Sequence, residues 1–187
     1  MRSIVVVRAG PGPEGPGTQA KEDDEDSHQR VAVGEVPKLF VSDMDSTMIG
    51  QECIDEIADA CGIKAEVAAI TERAMNGELD FRESLTLRLD LLKANKDDIH
   101  HLAERLKAQI SPSFERNQKH LSALKDTVYV VSNGFKEFIV PVIEAYGLLP
   151  DNVYANTFVY DEEGNIIGFD TENPLSRNGG KSLVIKD

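Results

Sequence analysis

The sequence has no basic excess and no long apolar run, and each absence excludes a class of protein. Lysine and arginine number 20 against 33 aspartate and glutamate residues in a chain of 187, a formal net charge of −13. Because nucleic-acid affinity rests largely on cations that neutralise phosphates, this balance argues against a nucleic-acid partner. No apolar segment approaches the roughly 20 residues that a membrane span requires, so no membrane partner is expected either.

Cysteine is also scarce, and the two cysteines are not expected to form a disulfide. Cys53 and Cys61 lie in one predicted helix, and their spacing separates them by roughly 12 Å, beyond disulfide geometry. The apolar run Ile4–Val7 is too short for the core of a secretory signal. We therefore expect a reducing, cytoplasmic location.

Residues 1–36 differ in composition from the rest of the chain. A Gly- and Pro-rich stretch, 10–17, is followed by an acidic run, 21–26. Such segments bury too little apolar surface to offset the entropy of ordering. We expect a disordered N-terminal extension or linker, with Ile4–Val7 at most a stray strand.

From Pro37 onward the apolar pattern predicts alternating strands and helices. The runs Lys38–Val41 and Thr127–Val131 predict buried strands, and Val153–Tyr160 with Ile166–Phe169 predicts a hairpin. Apolar spacing and stop signals predict helices over 51–61, 65–75, 81–92, 114–124 and 135–146, another between Asn95 and Pro112, and a helix start at Lys181. Pro141 implies that the helix over 135–146 is kinked or begins later.

This alternation favours an α/β fold with a Rossmann-like, mostly parallel sheet. The consecutive helices after the first buried strand are too long a detour for a crossover. We therefore interpret 51–110 as an inserted α-helical cap on a core formed by 37–50 and 111–187.

A pair of aspartates follows the first buried strand, where open parallel sheets place their ligand sites. Asp43 and Asp45 are two residues apart, which projects their carboxylates to one side. A cation or a shared proton would relieve their repulsion, and Mg²⁺ with oxygen ligands is suited to that task. The alternative is that Asp45, Ser46 or Thr47 simply caps the next helix.

Two further polar segments follow later in the chain. The Ser-Asn-Gly segment 132–134 lies between a buried strand and a helix, where a hydroxyl, an amide and backbone N–H groups form an anion site; helix capping is the alternative. Lys181 follows two glycines and is either a cation of the same site or a solvated turn residue. Together, the three segments favour one site for a metal, a phosphoryl group and a lysine.

Arg88 and Glu52 each allow two interpretations. Arg88 lies along the apolar stripe of the helix over 81–92, so it is either a clamp for a carboxylate or phosphate, or an edge arginine with its head in water. Glu52 opens the helix over 51–61, where the helix dipole alone favours an acid.

Several short segments are more specific together than any one of them. They are Asp43-Met-Asp-Ser-Thr with Glu52, Ala74-Met75, Phe81-Arg-Glu-Ser-Leu-Thr-Leu-Arg88, Ser132-Asn-Gly-Phe135 and Gly180-Lys181. From about residue 38 onward, the chain resembles the phosphoserine phosphatase family of the haloacid dehalogenase superfamily. The resemblance implies a Rossmann-like core with a helical cap, and Mg²⁺-dependent hydrolysis of L-phosphoserine to L-serine and phosphate in serine biosynthesis.

The resemblance also implies a role for each matched residue. Asp43 is the expected nucleophile, which forms an aspartyl-phosphate, and Asp45 the general acid and base. Mg²⁺ would be bound by Asp43 and by the backbone carbonyl of Asp45. The implied substrate-binding residues are Glu52 for the ammonium, Arg88 for the carboxylate, Met75 and Phe81 as shields from water, Ser132 and Gly134 for phosphoryl oxygens, and Lys181 for the developing charge.

Two departures from the family pattern are visible. Asn133 stands where the family usually has glycine, and no Gly-Asp-Gly-x-x-Asp segment, which supplies further metal ligands, occurs before Asp187. We therefore expect a C-terminally incomplete fold. Two alternatives stand beside the phosphoserine phosphatase: a truncated, catalytically incomplete relative that binds phosphoserine or a partner, and a phosphatase for another small phosphomonoester. The oligomeric state is not predicted.

Overall fold

The computed structural model describes residues 4–7 and 39–186. The strands are β1 Ile4–Val7, β2 Leu39–Ser42, β3 Val128–Phe135, β4 Val153–Asn156, β5 Phe158–Tyr160 and β6 Ile166–Phe169. The helices are α1 Cys53–Ala60, α2 Lys64–Met75, α3 Phe81–Leu91, α4 Lys96–Leu106, α5 Pro112–Ala123, α6 Lys136–Ala145 and α7 Gly180–Lys186. No helix of the described part of the chain is long and apolar enough to cross a membrane.

Four parallel strands form the central sheet in the order β1-β2-β3-β4. Val41 of β2 lies opposite Tyr129 of β3, and Val130 of β3 lies opposite Val153 of β4. Helix α6 connects β3 to β4, the kind of crossover that a parallel pair requires. The predicted α/β class with a Rossmann-like, mostly parallel sheet is confirmed.

Strand β1 belongs to this sheet and is not a stray strand. It pairs with β2 along its length, with Ile4 opposite Leu39 and Val7 opposite Ser42. Its partner comes more than thirty residues later in the chain, so no local pattern reveals the pairing. The rest of the expected N-terminal disorder falls on residues 1–3 and 8–36, which lie outside the described residues.

Helices α1 to α4 form an insertion whose two ends lie side by side. Gly50 N–H donates to the Gln109 carbonyl (3.4 Å) and Ser111 N–H donates to the Met48 carbonyl (2.8 Å). Apolar side chains of the insertion, such as Leu85, share one buried cluster with the sheet and α6. The insertion therefore packs directly on the core, and the boundary at 51–110 stays a prediction.

Two predicted segments end differently in the structure. Strand β3 continues through 132–135, so the predicted Ser-Asn-Gly loop is the carboxyl end of a strand. The predicted strand Val153–Tyr160 is divided at Thr157, because β4 joins the parallel sheet while β5 forms a hairpin with β6. Apolar alternation continues across the break, but the hydrogen-bonding partners change there.

The helices confirm the predicted pattern with small shifts at their ends. Helix α6 begins at Lys136 and contains Pro141, so the later start considered for it is wrong. Cys53 in α1 is buried, Cys61 just beyond its end is exposed, and both thiols are free.

Glu137 joins α6 to the start of the hairpin. Its Oε1 accepts the Phe158 N–H at 2.9 Å, while its Oε2 is buried without a hydrogen-bond partner. Burial raises the pKa of the Glu137 carboxyl, and backbone hydrogen bonds only partly oppose this. The folded state therefore favours the protonated acid. Its contribution to stability is full below the ordinary glutamate pKa and is lost as the pH rises through the raised pKa.

We expect Glu137→Gln to gain in melting temperature relative to the wild type as the pH rises from about 4 to about 8, where the wild-type carboxyl becomes a buried charge. Melting temperatures measured across that range test this. Glu144→Gln removes an exposed carboxylate from the same helix and is the matched control, with no such gain. A difference between Glu137→Gln and wild type that does not change with pH would contradict the expectation.

Candidate active site

The turn after β2 carries the two aspartates. It is tight enough that Ser46 adopts a left-handed φ of 53°. The Oδ1 of Asp43 accepts the Met44 N–H at 2.8 Å, and the Oδ1 of Asp45 accepts the Cys53 N–H at 3.1 Å. Cys53 is the first residue of α1, so Asp45 accepts one free N–H at the start of that helix, although the N-cap residue is Glu52 and not Asp45, Ser46 or Thr47 as the capping alternative expected. The Oδ2 of Asp45 stays available to the site.

The environment of Asp45 changes its acidity. Burial raises the pKa of Asp45 to about 6, the carboxylates of Glu52 and Asp43 add to the increase, and hydrogen bonding to Cys53 opposes it. A carboxyl group that titrates near neutrality can both donate and accept a proton at physiological pH. General acid and base catalysis requires this property.

The carboxyl end of β3 lies beside Asp45. Ser132 is 1% exposed, and its Oγ accepts the Gly134 N–H at 2.9 Å. A Cβ atom on Gly134 would lie 3.1 Å from the Asp45 Oδ2 and 3.2 Å from the Ser132 Oγ, so glycine keeps this space open. Helix α6 begins after Phe135 with no side-chain cap; the capping alternative for segment 132–134 is therefore wrong.

Lys181 approaches the aspartates from the first turn of α7. Its Nζ donates to the Oδ2 of Asp43. The two side chains are only 28% and 25% exposed, so the ion pair is partly shielded from water. Lys181 is therefore a member of the site in this structure, and the alternative of a solvated turn residue is wrong.

A small cavity of about 70 Å³ separates the aspartate turn from α3. Asp45, Glu52, Phe81, Arg88 and Gly134 are among its lining residues. The cavity thus brings residues from the helical insertion to the carboxyl ends of β2 and β3. It contains groups of opposite charge on its insertion side, Glu52 and Arg88.

These two charged groups are held by neighbours. The Arg88 Nε donates to the Ser84 carbonyl at 3.2 Å; burial lowers the pKa of the Arg88 guanidinium, and the carboxylates of Asp55 and Glu52 oppose this. The Oε1 of Glu52 accepts the Ser46 hydroxyl at 2.7 Å. Glu52 is the N-cap residue of α1 and makes no side-chain cap hydrogen bond; at this position the helix dipole also favours an acid.

Met75 is not among the residues that line this cavity. It is 83% exposed and lines a wider cleft of about 640 Å³. Phe81 and Arg88 also line that cleft, opposite Asn178. Helix α2 buries only Val67, so it holds Met75 at the periphery. In this conformation Met75 does not shield the cavity from water, contrary to the expectation.

The side chain of Asn133 also differs from expectation. It does not extend into a phosphate loop, since its Nδ2 donates to the Leu175 carbonyl at 2.7 Å. A second asparagine that sequence reasoning missed, Asn156, is fully buried and donates to the carbonyls of Asn133 and Leu175. The available signal was a polar residue inside the apolar pattern of Val153–Tyr160.

Asp43 and Asp45 are the residues that would hold a metal. Both offer hard oxygen donors, which Mg²⁺ prefers. Among residues 39–186, no group of three or more His, Cys, Asp or Glu side chains is placed to hold an ion. Mg²⁺ commonly uses only one or two carboxylates and completes its shell with water and phosphate oxygens, so the donors present fit an ion held jointly with a phosphorylated substrate.

Comparison with known proteins gives consistent results. Residues 37–168 match the model of the haloacid dehalogenase-like hydrolases. A chloroplastic phosphoserine phosphatase of Arabidopsis thaliana is 37% identical over 144 residues, which are 77% of this chain and 49% of that protein. A phosphoserine phosphatase of Mus musculus is 34% identical over 162 residues, with 83% of this chain and 72% of the relative covered.

A solved structure of a substrate-bound phosphoserine phosphatase complex superposes with a TM-score of 0.67 at 29% identity. The match covers 81% of this chain and 70% of that one. The chain spans about half the length of the plant relative. The family match extends from just before β2 to the end of the hairpin and includes both aspartates and segment 132–134. The chain belongs to the haloacid dehalogenase-like hydrolase family.

Proposed function

We propose that this chain hydrolyses L-phosphoserine to L-serine and phosphate. The observation that carries the proposal is the cavity whose lining combines the charged side chains of Glu52 and Arg88 with Asp45 and Gly134. A substrate with a phosphate at one end, and an ammonium and a carboxylate at the other, matches this distribution of charge. The naming of both curated relatives as phosphoserine phosphatases supports the same substrate.

The first chemical step is a displacement by Asp43. Its carboxylate oxygen forms a bond to phosphorus while the bond from phosphorus to the serine oxygen breaks, leaving an aspartyl-phosphate. Asp45 gives its proton to the departing serine oxygen. The pKa of about 6 that burial confers on Asp45 allows the carboxyl to hold that proton at a pH where an ordinary aspartate is ionised.

The second step reverses the role of Asp45. The ionised carboxylate accepts a proton from water as the water oxygen attacks phosphorus, and the bond between phosphorus and Asp43 breaks. Phosphate leaves and Asp43 is regenerated as a carboxylate. One buried acid thus serves both steps, which divides a difficult hydrolysis into two easier displacements.

The remaining groups would orient the substrate and stabilise charge. The Ser132 hydroxyl and the backbone at Gly134 lie beside Asp45 and would hold phosphoryl oxygens, and the Lys181 ammonium next to Asp43 would neutralise their charge. When bound by Asp43 and the Asp45 carbonyl, Mg²⁺ supplies further positive charge to the phosphoryl group. Glu52 would bind the substrate ammonium and Arg88 its carboxylate.

The chain's own activity is the direct test. Purified protein incubated with L-phosphoserine and Mg²⁺ is expected to release phosphate, and an excess of EDTA is expected to stop the release until Mg²⁺ is restored. Binding of phosphoserine without turnover would contradict the proposal and support the catalytically incomplete relative. Turnover of other small phosphomonoesters with equal efficiency would support the broader phosphatase.

The setting that we propose for this activity is serine biosynthesis in a reducing, cytoplasmic compartment. Two free thiols, one of them exposed on the surface, support a reducing environment. Serine release from phosphoserine ends that pathway, which is the role implied by the resemblance of the matched segments.

A further inference from the structure

Two asparagines tie the ends of β3 and β4 to the turn that precedes α7. We propose that Asn133 is a positioning residue for Lys181, acting through the carbonyl of Leu175. The inference rests on the proposed function, because it assigns Lys181 to the phosphoryl site. It concerns the residue at which this chain departs from the glycine of the family pattern.

The Leu175 carbonyl accepts two side-chain amides. The Nδ2 of Asn133 donates to it at 2.7 Å and the Nδ2 of Asn156 at 3.2 Å. Asn156 also donates to the Asn133 carbonyl at 2.8 Å, which links the two asparagines. Asn156 is fully buried, so water does not compete for its bonds and the carbonyl is fixed relative to the sheet.

The side chain of Leu175 is anchored to the same sheet. It is 1% exposed and packs in a cluster with Val41 of β2 and Val131 of β3. Asn173 adds a further tie, since its Oδ1 accepts the Leu175 N–H at 3.0 Å and its Nδ2 donates to the Ala155 carbonyl at 2.9 Å. Leu175 is thus held by its side chain, its N–H and its carbonyl.

The turn is coupled closely to the start of α7. A Cβ atom on Gly180 would collide with the carbonyl oxygen of Pro174, so the first residue of α7 packs on the backbone of the turn. The Gly180 N–H donates to the Arg177 carbonyl at 3.2 Å. The next residue is Lys181, whose Nζ reaches Asp43. A shift of the Leu175 carbonyl would therefore also move Lys181, because the residues between them pack closely.

The amide of Asn133 supplies a hydrogen bond to the Leu175 carbonyl that a glycine at this position could not make. Asn133 also lines the small cavity, so direct contact with substrate is the competing role. The two roles differ in their kinetics. Loss of a substrate contact raises KM, whereas a misplaced Lys181 lowers kcat because the lysine stabilises charge that develops during the reaction.

We expect Asn133→Ala to lower kcat for phosphoserine about tenfold with little change in KM, since small misplacements of a catalytic group have effects of at least this size. Hydrogen exchange should quicken at the backbone amides of 175–182 and remain unchanged in β2 and β3. Activity and exchange measured on the same 187-residue protein test both expectations. A rise in KM at constant kcat, with unchanged exchange, would overturn the proposal.

Asn152→Ala is the matched control. The Nδ2 of Asn152 donates to the carbonyls of Lys125 and Val128, both at 3.0 Å, near the start of β3. The variant loses the same kind of bonds far from Lys181. It should lower the melting temperature while kcat and exchange at 175–182 stay at wild-type values; a fall in kcat equal to that of Asn133→Ala would mean that any loss of stability has this effect.

A double-mutant cycle separates action through Lys181 from independent action. In a Lys181→Ala background, Asn133→Ala should cause no further loss of kcat, whereas a second tenfold loss would overturn the proposal. Failure of the proposed function is distinguishable. If wild-type protein does not hydrolyse phosphoserine, the exchange measurement still decides whether Asn133 holds segment 174–182 in place.

Discussion

Asp43→Asn is expected to reduce phosphate release from L-phosphoserine by roughly 10³-fold or more, because an amide lacks the anionic oxygen that attacks phosphorus. The measurement is initial velocity at saturating phosphoserine and Mg²⁺. The variant should fold normally, since asparagine has nearly the shape of aspartate and its side-chain oxygen can still accept the Met44 N–H. A loss of activity with an unchanged melting temperature would therefore reflect chemistry.

Asp126→Asn is the control for the same chemical change. Asp126 is exposed and lies in the short helical turn just before β3. It is therefore at the amino end of the parallel strands, whereas the aspartate turn is at their carboxyl end. Its replacement should leave the velocity unchanged. If Asp43→Asn retained more than about a tenth of the wild-type velocity, Asp43 would not be the nucleophile, since covalent catalysis does not survive loss of the attacking group.

The sequence predicted where two of the polar segments lie in the fold, because the rule that governs their position is topological. Asp43 and Ser132 each follow an apolar run with strand propensity, and parallel strands bring their carboxyl ends to one edge of the sheet. The structure places both residues at that edge, at the ends of β2 and β3. The sequence placed Lys181 in one site with the other two polar segments, but it did not predict that the lysine pairs with Asp43, 138 positions earlier in the chain.

Features that depend on distant hydrogen-bond partners were not predictable. The run Ile4–Val7 has strand propensity, but its membership of the sheet depends on the free edge of β2. The break between β4 and β5 at Thr157 also depends on a distant partner. The Phe158 N–H donates to the carboxylate of Glu137, whereas the apolar alternation of the sequence continues across the break. Strand propensity describes a fit to a pleated surface and not the choice of partner.

The directions of two side chains, those of Asn133 and Met75, were also not predicted from the sequence. The amide of Asn133 was predicted to belong to an anion site in segment 132–134, yet it donates to the Leu175 carbonyl, a contact that no spacing reveals. Met75 was expected to cover the pocket, and its exposure follows from how little of α2 is buried. Both cases depend on tertiary packing, which decides where a side chain of given type and position finds its partners.

Arg88→Ala is expected to lower kcat/KM for L-phosphoserine about 100-fold while lowering kcat/KM for phosphoethanolamine less than about threefold. Phosphoethanolamine has the phosphate and the ammonium but no carboxylate. Loss of charge-assisted bonds to the carboxylate is worth about 3 kcal/mol, and this loss applies only to the substrate that has one. Parallel kinetics with the two substrates measure the selectivity.

Arg88→Lys and Arg116→Ala complete the design. The lysine variant keeps the charge but not the planar fork, so it should recover only part of the selectivity. Arg116 is exposed on α5, and its removal should affect neither substrate. An equal loss for both substrates in Arg88→Ala would assign Arg88 to the fold or the phosphate. A preference for phosphoserine that depends on Arg88 would instead show that this half-buried guanidinium, which belongs to the helical insertion, selects the substrate that is hydrolysed at the strand ends.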